Sequence, residues 1–209
     1  MKIKMYNCII FDVDGTLIDT EKAVVSSYQK LIHEKFGRYF TMEELAVGHG
    51  VPTRTSLERY GFTDIDATCE RYHGYLREAL KEARVFEGVM AVLRHVESKN
   101  IITGVVTSRN RLEIAHDPRM LEITQYFRHI VCSDDTKKHK PDGEPILKFL
   151  ELSGAKASET IYIGDTPFDC MCARNAGVDF ALALWGAIEK DSIAADYYFK
   201  SPEEIISIL

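Results

Sequence analysis

Asp12 and Asp14 stand two residues apart at the end of the apolar run Ile9-Ile10-Phe11, and Gly15 and Thr16 follow directly. In an extended segment, residues i and i+2 project to the same side. Two carboxylates held on one side of one backbone repel each other, so the pair calls for a cation. Gly15 lets the chain turn sharply and approach a ligand, and Thr16 adds a hydroxyl. Hard oxygen ligands beside such a loop suit Mg2+, which keeps waters and takes one or two carboxylates together with substrate phosphate. The D-x-D-G pattern also occurs in acidic turns and in calcium loops. An EF-hand loop needs a Glu at its twelfth position, however, and counting from Asp12 that position is Ala23.

Three more polar groups follow strand-like runs. Thr107-Ser108-Arg109 ends the run Ile101 to Val106, and Gly164-Asp165-Thr166-Pro167-Phe168-Asp169 ends the run Ile161 to Ile163. Lys140-Pro141 lies in the loop after the Ile130 run. Each has an ordinary reading of its own. Thr107 or Ser108 could cap the next helix, Lys140 could be a solvated charge beside Lys137 and Lys138, and Asp165-Thr166-Pro167 could be a turn that starts a helix. Their order argues for more. In open α/β sheets ligands bind beyond the carboxyl ends of the strands, where Asp12, Thr107 and Asp165 would all emerge. Together the set supplies a nucleophile, a hydroxyl, a cation and additional carboxylates.

The elements that must position this set are visible as short apolar runs: Cys8 to Phe11, Ile101 to Val106, Ile130 to Cys132, Ile161 to Ile163, Phe180 to Leu184 and Tyr197 to Phe199. Between them lie stretches of helical spacing, among them Val89 to Glu97, Ile146 to Leu152 and Phe168 to Ala176. Alternating strand and helix implies an α/β fold, a three-layer Rossmann-like core around a central parallel sheet. One interval breaks the rhythm. From Leu17 to about Arg84 no strand is expected, only helical patterns at Ala23 to Phe36, Met42 to Ala46, Thr55 to Tyr60 and Ala67 to Ala83, the first capped by Asp19 or Thr20. This interval reads as an inserted α-helical cap, residues 18–84, with the core formed by residues 1–17 and 85–209.

Composition narrows the function. The 209 residues, 45% hydrophobic and 28% charged, suit a soluble globular protein with one large domain or a core plus an insertion. Net charge is -6 and basic residues form no long run, so nucleic acid is not an expected partner. No apolar stretch reaches membrane-spanning length, and acidic residues interrupt the amino-terminal apolar run, so a cytoplasmic protein is expected. The five cysteines are odd in number and lack a framework spacing, which suggests free thiols; Cys170 and Cys172 have no partner pair at zinc-ligand spacing.

With these residues assembled, the sequence resembles the haloacid dehalogenase superfamily of phosphotransferases, in particular its phosphoglycolate-phosphatase-like branch with a helical cap. The resemblance spans nearly the whole chain: Asp12-Val13-Asp14-Gly15-Thr16-Leu17, Thr107-Ser108, Lys140-Pro141 and Gly164 through Asp169, then Ala176-Gly177-Val178, Leu184-Trp185-Gly186 and Ala195-Asp196-Tyr197-Tyr198. It implies that Asp12 attacks phosphorus to form an aspartyl phosphate, and that Asp14 protonates the leaving oxygen and later activates water. It further implies Mg2+ held by Asp12, the Asp14 main-chain carbonyl and Asp165, with Asp169 as a further ligand or support, and Lys140 and Thr107 completing a phosphate clamp. A raised Asp14 pKa is then expected.

The resemblance also sets expectations for specificity. An Asp at position 14 argues against the dehalogenase and phosphonate-cleaving branches, and Val24, where resembling sugar-phosphate mutases carry a His, argues for hydrolysis over isomerisation. Ser108-Arg109 departs from the Asn-Lys or Asn-Ser often seen after the motif Thr and leaves the phosphate-side contacts open. The segment Gly48-His49-Gly50-Val51-Pro52-Thr53-Arg54 resembles the cap segment that faces the site in this branch, making His49 and Arg54, with Ser108 and Arg109, candidate substrate-binding residues. The expected activity is Mg2+-dependent hydrolysis of a small phosphomonoester such as phosphoglycolate. A β-phosphoglucomutase-like isomerase, a pyrophosphatase and a phosphate-binding module without turnover are the alternatives.

Overall fold

The computed structural model describes residues 5–48, 50–188, 190 and 192–209. Short apolar runs without polar alternation are stable as strands when both faces are covered. Six such runs form one parallel sheet: β1 (Cys8–Phe11), β2 (Ile102–Val106), β3 (His129–Val131), β4 (Thr160–Gly164), β5 (Asp179–Ala183) and β6 (Tyr197–Phe199). Their order is β3-β2-β1-β4-β5-β6. From β1 the chain builds outward through β2 and β3, then returns to place β4 on the other side of β1. Strand order therefore reverses between β1 and β4, which opens a crevice at their carboxyl ends. Phe11 is in register with both Val105 and Ile163, so Asp12, Thr107 and Asp165 leave the sheet at nearly one level.

Alternation along the strands sorts the core into two layers. Ile9, Phe11, Val105, Ile161 and Ile163 face one side and pack on Val89, Val92, Leu93 and Val96 of helix α5 (Val89–Ser98). Cys8, Ile10, Val106 and Tyr162 face the other, against helices α8 (Glu144–Ser153) and α9 (Pro167–Ala176). Burial of each such side chain contributes about 1.5–3 kcal/mol, and the layers hold the catalytic edge rigid.

Among the described residues, four helices lie between β1 and α5: α1 (Glu21–Phe36), α2 (Met42–Ala46), α3 (Thr53–Arg59) and α4 (Ile65–Ala79). They form an inserted helical cap with its own apolar cluster of Tyr28, Leu31, Ile32, Leu45, Leu57, Tyr60, Phe62 and Tyr72. Tyr28 stacks on Tyr72 with ring centroids 4.3 Å apart. Boundaries move slightly from the sequence expectation. Helix α3 begins at Thr53, and α4 starts at Ile65 and tightens into a 3-10 turn over Leu80–Glu82.

The expectation of no strand between Leu17 and Arg84 is corrected by a short antiparallel ladder, in which Ile18 and Asp19 pair with Val85 and Arg84. Two residues of pairing are too few to leave a period-2 signal, yet they fasten the two chain crossings into the cap. Two short helices between β2 and β3, α6 (Arg111–Ala115) and α7 (Pro118–Ile123), were also unmarked by hydrophobic spacing. Among the described residues, no helix is long and apolar enough to cross a membrane.

Candidate active site

The loop after β1 is tied down before any ligand is considered. The Val13 carbonyl accepts the N–H groups of Leu17 and Ile18 at 2.9 and 3.0 Å, and Trp185 donates its indole N–H to the Thr16 carbonyl at 3.0 Å. Gly15 turns the chain at φ 77°, a conformation that side-chain-bearing residues rarely adopt. A Cβ at this position would stand 2.2 Å from Asp165 Oδ2. Only a glycine lets this loop approach Asp165 so closely.

Asp12, immediately beyond β1, accepts a 2.7 Å hydrogen bond from the Lys140 ammonium, which also donates to Asp169 Oδ1 at 2.6 Å. Both partners are almost wholly buried, Asp12 at 6% exposure and Lys140 at 5%. Burial pushes the Asp12 carboxyl up to about 7, with the Lys140 charge opposing and the Asp169 charge adding to the shift. Asp165 enters from the end of β4. Its Oδ1 accepts from Thr16 Oγ1 at 3.1 Å, while its buried Oδ2 has no hydrogen-bond partner. Burial, reinforced by the nearby Asp169 and Asp12 charges, drives the Asp165 carboxyl well above the usual range.

Carboxylate oxygens of Asp12, Asp165 and Asp169 lie within 4.8 Å of one another. A partnerless buried oxygen, in a cradle that a single Cβ would fill, fits a divalent cation, because a cation relieves both the desolvation and the mutual repulsion.

Asp169 differs from its neighbours. Its two oxygens already receive four donors: Lys140 Nζ, the Tyr162 hydroxyl at 2.8 Å, and the Thr166 N–H and hydroxyl at 3.0 and 2.6 Å. Burial raises its pKa, but Lys140 and these hydrogen bonds outweigh it and hold the carboxyl below the ordinary range. Asp169, expected as a metal ligand or a support, is bonded as a support and also stands within the carboxylate group formed with Asp12 and Asp165. Asp169 closes a capping box with Thr166 at the start of α9 and fixes the Lys140 ammonium against Asp12. Tyr162, whose hydroxyl lies within hydrogen-bond distance of Asp169 and the Val106 carbonyl, carries no signal in the sequence beyond its place in a strand.

The expectation for Asp14 is reversed. Arg109 grips both of its oxygens, Nε to Oδ2 at 2.8 Å and an Nη to Oδ1 at 2.6 Å, and the Thr20 hydroxyl donates at 2.7 Å. Burial alone would raise the Asp14 carboxyl, but the Arg109 charge and these hydrogen bonds hold it below the usual range. Thr20, expected as a helix cap, makes no side-chain capping bond because its hydroxyl serves Asp14. Arg109 is itself engaged, its remaining Nη pairing with buried Asp117 at 2.7 Å. Asp117 in turn binds Arg119 at 2.8 Å, and neither Asp117 nor Arg119 drew notice in the sequence.

The other expected substrate-binding residues scatter. The Ser108 hydroxyl donates to the Gly50 carbonyl at 2.9 Å, a bond from the core to the cap loop. Buried Thr107 accepts the Arg109 N–H at 3.2 Å, and α6 is capped by Asn110, so neither Thr107 nor Ser108 acts as a helix cap. Arg54 does not face the site; it pairs with Asp66 at 2.5 Å, exposed on the cap surface. His49 lies outside the described residues. Core and cap enclose a cavity of about 1200 Å³, with Asp12, Asp14, Gly15 and Asp165 at its base and Ser108 and Arg109 on its wall.

A family profile described as haloacid dehalogenase-like hydrolase matches residues 9–183. The chain is 28% identical over 212 residues to pyrophosphatase PpaX of Bacillus velezensis, covering 100% of this chain and 98% of that one. It is 27% identical over 208 residues to the PpaX pyrophosphatase of Anoxybacillus flavithermus, covering 97% and 96%. Among solved structures it superposes on a candidate phosphoglycolate phosphatase from Lactobacillus plantarum with TM-score 0.87 at 24% identity, covering 98% of this chain and 100% of that one. A candidate β-phosphoglucomutase from Thermotoga maritima superposes with TM-score 0.74 at 26% identity, covering 96% and 97%. Sequence match, parallel-sheet topology and helical cap agree, and the chain belongs to the haloacid dehalogenase-like hydrolases.

Proposed function

We propose that the protein is a Mg2+-dependent phosphomonoester hydrolase that works through a phosphorylated Asp12. The observation that carries this reading is the meeting of Asp12, Lys140 and the partnerless Asp165 Oδ2 at the strand-order reversal. Asp12, the Asp14 main-chain carbonyl and Asp165 would hold the ion, which when bound offsets negative charge on the phosphoryl oxygens. Lys140 orients the Asp12 carboxylate and meets the phosphoryl group with a second positive charge, while Asp169 and Tyr162 keep its ammonium in place. Attack by an Asp12 oxygen splits the hydrolysis into two displacements. Asp14 begins ionised. An incoming phosphoryl group competes for Arg109 and adds negative charge beside Asp14, and both changes raise its carboxyl pKa toward the proton-donating state.

Position 24, where resembling mutases carry a His, is Val24 on the cavity lining, which favours hydrolysis over isomerisation. The small acidic leaving group expected from the sequence is also weakly served, because Arg54 is turned to the surface and Arg109 is held by two carboxylates.

Phosphate release from a panel of phosphate esters with Mg2+, and its loss with excess chelator, tests the reading; a panel without release overturns it. A companion prediction concerns pH. Because Asp12 and Asp165 carry raised pKa values, protons compete with the cation, and binding releases them. Stabilisation by Mg2+ is therefore expected to grow between pH 5 and pH 8, and to vanish in Asp165→Asn. Thermal unfolding with and without Mg2+ across that range reads it.

A further inference from the structure

We propose that the alcohol portion of the substrate is uncharged, bulky and mainly hydrocarbon, an aryl-alkyl or medium alkyl group, rather than a carboxylate or a second phosphate. This rests on the phosphatase reading above and names the substrate class that fits its cavity.

Two observations carry it. The first is charge. Among the described residues, six Asp or Glu but only four Arg or Lys line the cavity. Arg109 is bound by Asp14 and Asp117, Arg119 by Asp117 and the Leu80 carbonyl, and Lys81 by Glu78. Arg77 and Lys81 stand exposed to water. A second phosphate or a carboxylate is normally held by a free guanidinium or ammonium in a desolvated pocket, commonly in a bidentate pair. Here the arginines inside the cavity already have carboxylate partners, His73 stands 3.0 Å from Glu113, and Glu21 on the lining would repel another anion.

The second is apolar surface. Val24, Val25, Leu76 and Leu80 of the cap line the space above Asp12. Met42 (45% exposed), Val47 (50%), Leu112 (68%) and Ile188 (40%) also line it, although exposed large apolar side chains are costly unless something covers them. These residues come from cap and core alike and converge on one opening. Phosphoglycolate would leave most of about 1200 Å³ filled with water, whereas pockets of roughly 300–1,000 Å³ lined by apolar side chains suit drug-sized ligands. The phosphoryl group is handled at the base; polar groups higher on the lining, Glu113 with His73 and Arg109 with Asp14 and Asp117, are already paired with one another, and the apolar side chains between them offer hydrocarbon contact.

The test compares alkyl esters of similar intrinsic reactivity, so that leaving-group chemistry does not decide the result. With the full chain and Mg2+, kcat/KM is measured for ethyl, butyl, hexyl and 2-phenylethyl phosphate, for phosphoglycolate and for pyrophosphate. The expected result is a steady rise along the alkyl series, with hexyl and phenylethyl phosphate roughly 10-fold or more above phosphoglycolate and pyrophosphate. Met42→Lys and Leu112→Lys, at exposed positions that spare the fold, should flatten the series by raising KM for the long esters. A flat or falling series, or a preference for phosphoglycolate or pyrophosphate, overturns the proposal while leaving the phosphatase reading intact. Equal loss on every ester in the Lys variants also overturns it, because a lining that reads hydrocarbon must discriminate by length. No phosphate release from any compound overturns both readings.

Discussion

Asp12→Asn is expected to lower kcat by about four orders of magnitude or more while leaving the protein folded. The amide matches the carboxylate in shape and still accepts from Lys140, so the loop from Val13 to Ile18 keeps its bonds. What disappears is the anionic oxygen that attacks phosphorus. The stability change has a definite sign. A folded-state carboxyl pKa raised to about 7 means that ionising Asp12 works against the native state as pH climbs from the ordinary carboxylate range to 7. The Asn variant has no such titration. In the absence of divalent cation it should therefore match or exceed the wild-type melting temperature at pH 8, and gain nothing at pH 4. Phosphate release and thermal unfolding at both pH values read the two effects; turnover at the wild-type rate would end the nucleophile assignment.

The strands and the positions of Asp12, Thr107 and Asp165 at one sheet edge were legible because burial on both faces forces unbroken apolar runs, and because motif residues must follow strand ends to reach the crevice. What was not legible depended on pairing across space. Arg109 reads as a substrate contact until Asp14 and Asp117 are seen to divide its guanidinium between them. That pairing is also why the Asp14 pKa shift has the opposite sign from the expectation, which weighed neighbouring anions but no buried cation. Asp169 has the residue type of a metal ligand, and only its four donors identify it as the holder of Lys140. Arg54 failed for a simpler reason. A helix surface offers several directions to a side chain four residues after a glycine turn, and Asp66, twelve residues along, captured it. Tyr162 sits in an apolar run where its ring satisfies the strand pattern, so its hydroxyl left no separate signal.

Lys140→Met is expected to damage stability and turnover together, and the pH dependence separates the two. Lys140 is 5% exposed, and its ammonium is bonded to Asp12 and Asp169, with the Asp165 carboxylate close by. Met matches the length of the stem but leaves these carboxylates without their nearest cation. Removing one partner of a buried ion pair costs about 3–5 kcal/mol, because the remaining charge stays desolvated. For a chain of this size that corresponds to a fall in melting temperature of roughly 10 °C. The orphaned carboxylates can recover by taking up protons, which raises their folded-state pKa values further. The deficit should therefore be smaller at pH 5 than at pH 8, where they must remain ionised. Mg2+ should restore part of the lost stability at pH 8, since it supplies positive charge to the same oxygens. It should not restore turnover, because nothing then meets the phosphoryl group from the Lys140 side, and a loss of about 10³-fold is expected at saturating metal. Lys140→Arg should be no rescue, as the planar guanidinium does not fit a pocket shaped for a point charge between two carboxylates. A Lys140→Met protein with wild-type melting at pH 8, or with turnover recovered by Mg2+ alone, would show that the ammonium is not the charge on which this cluster depends.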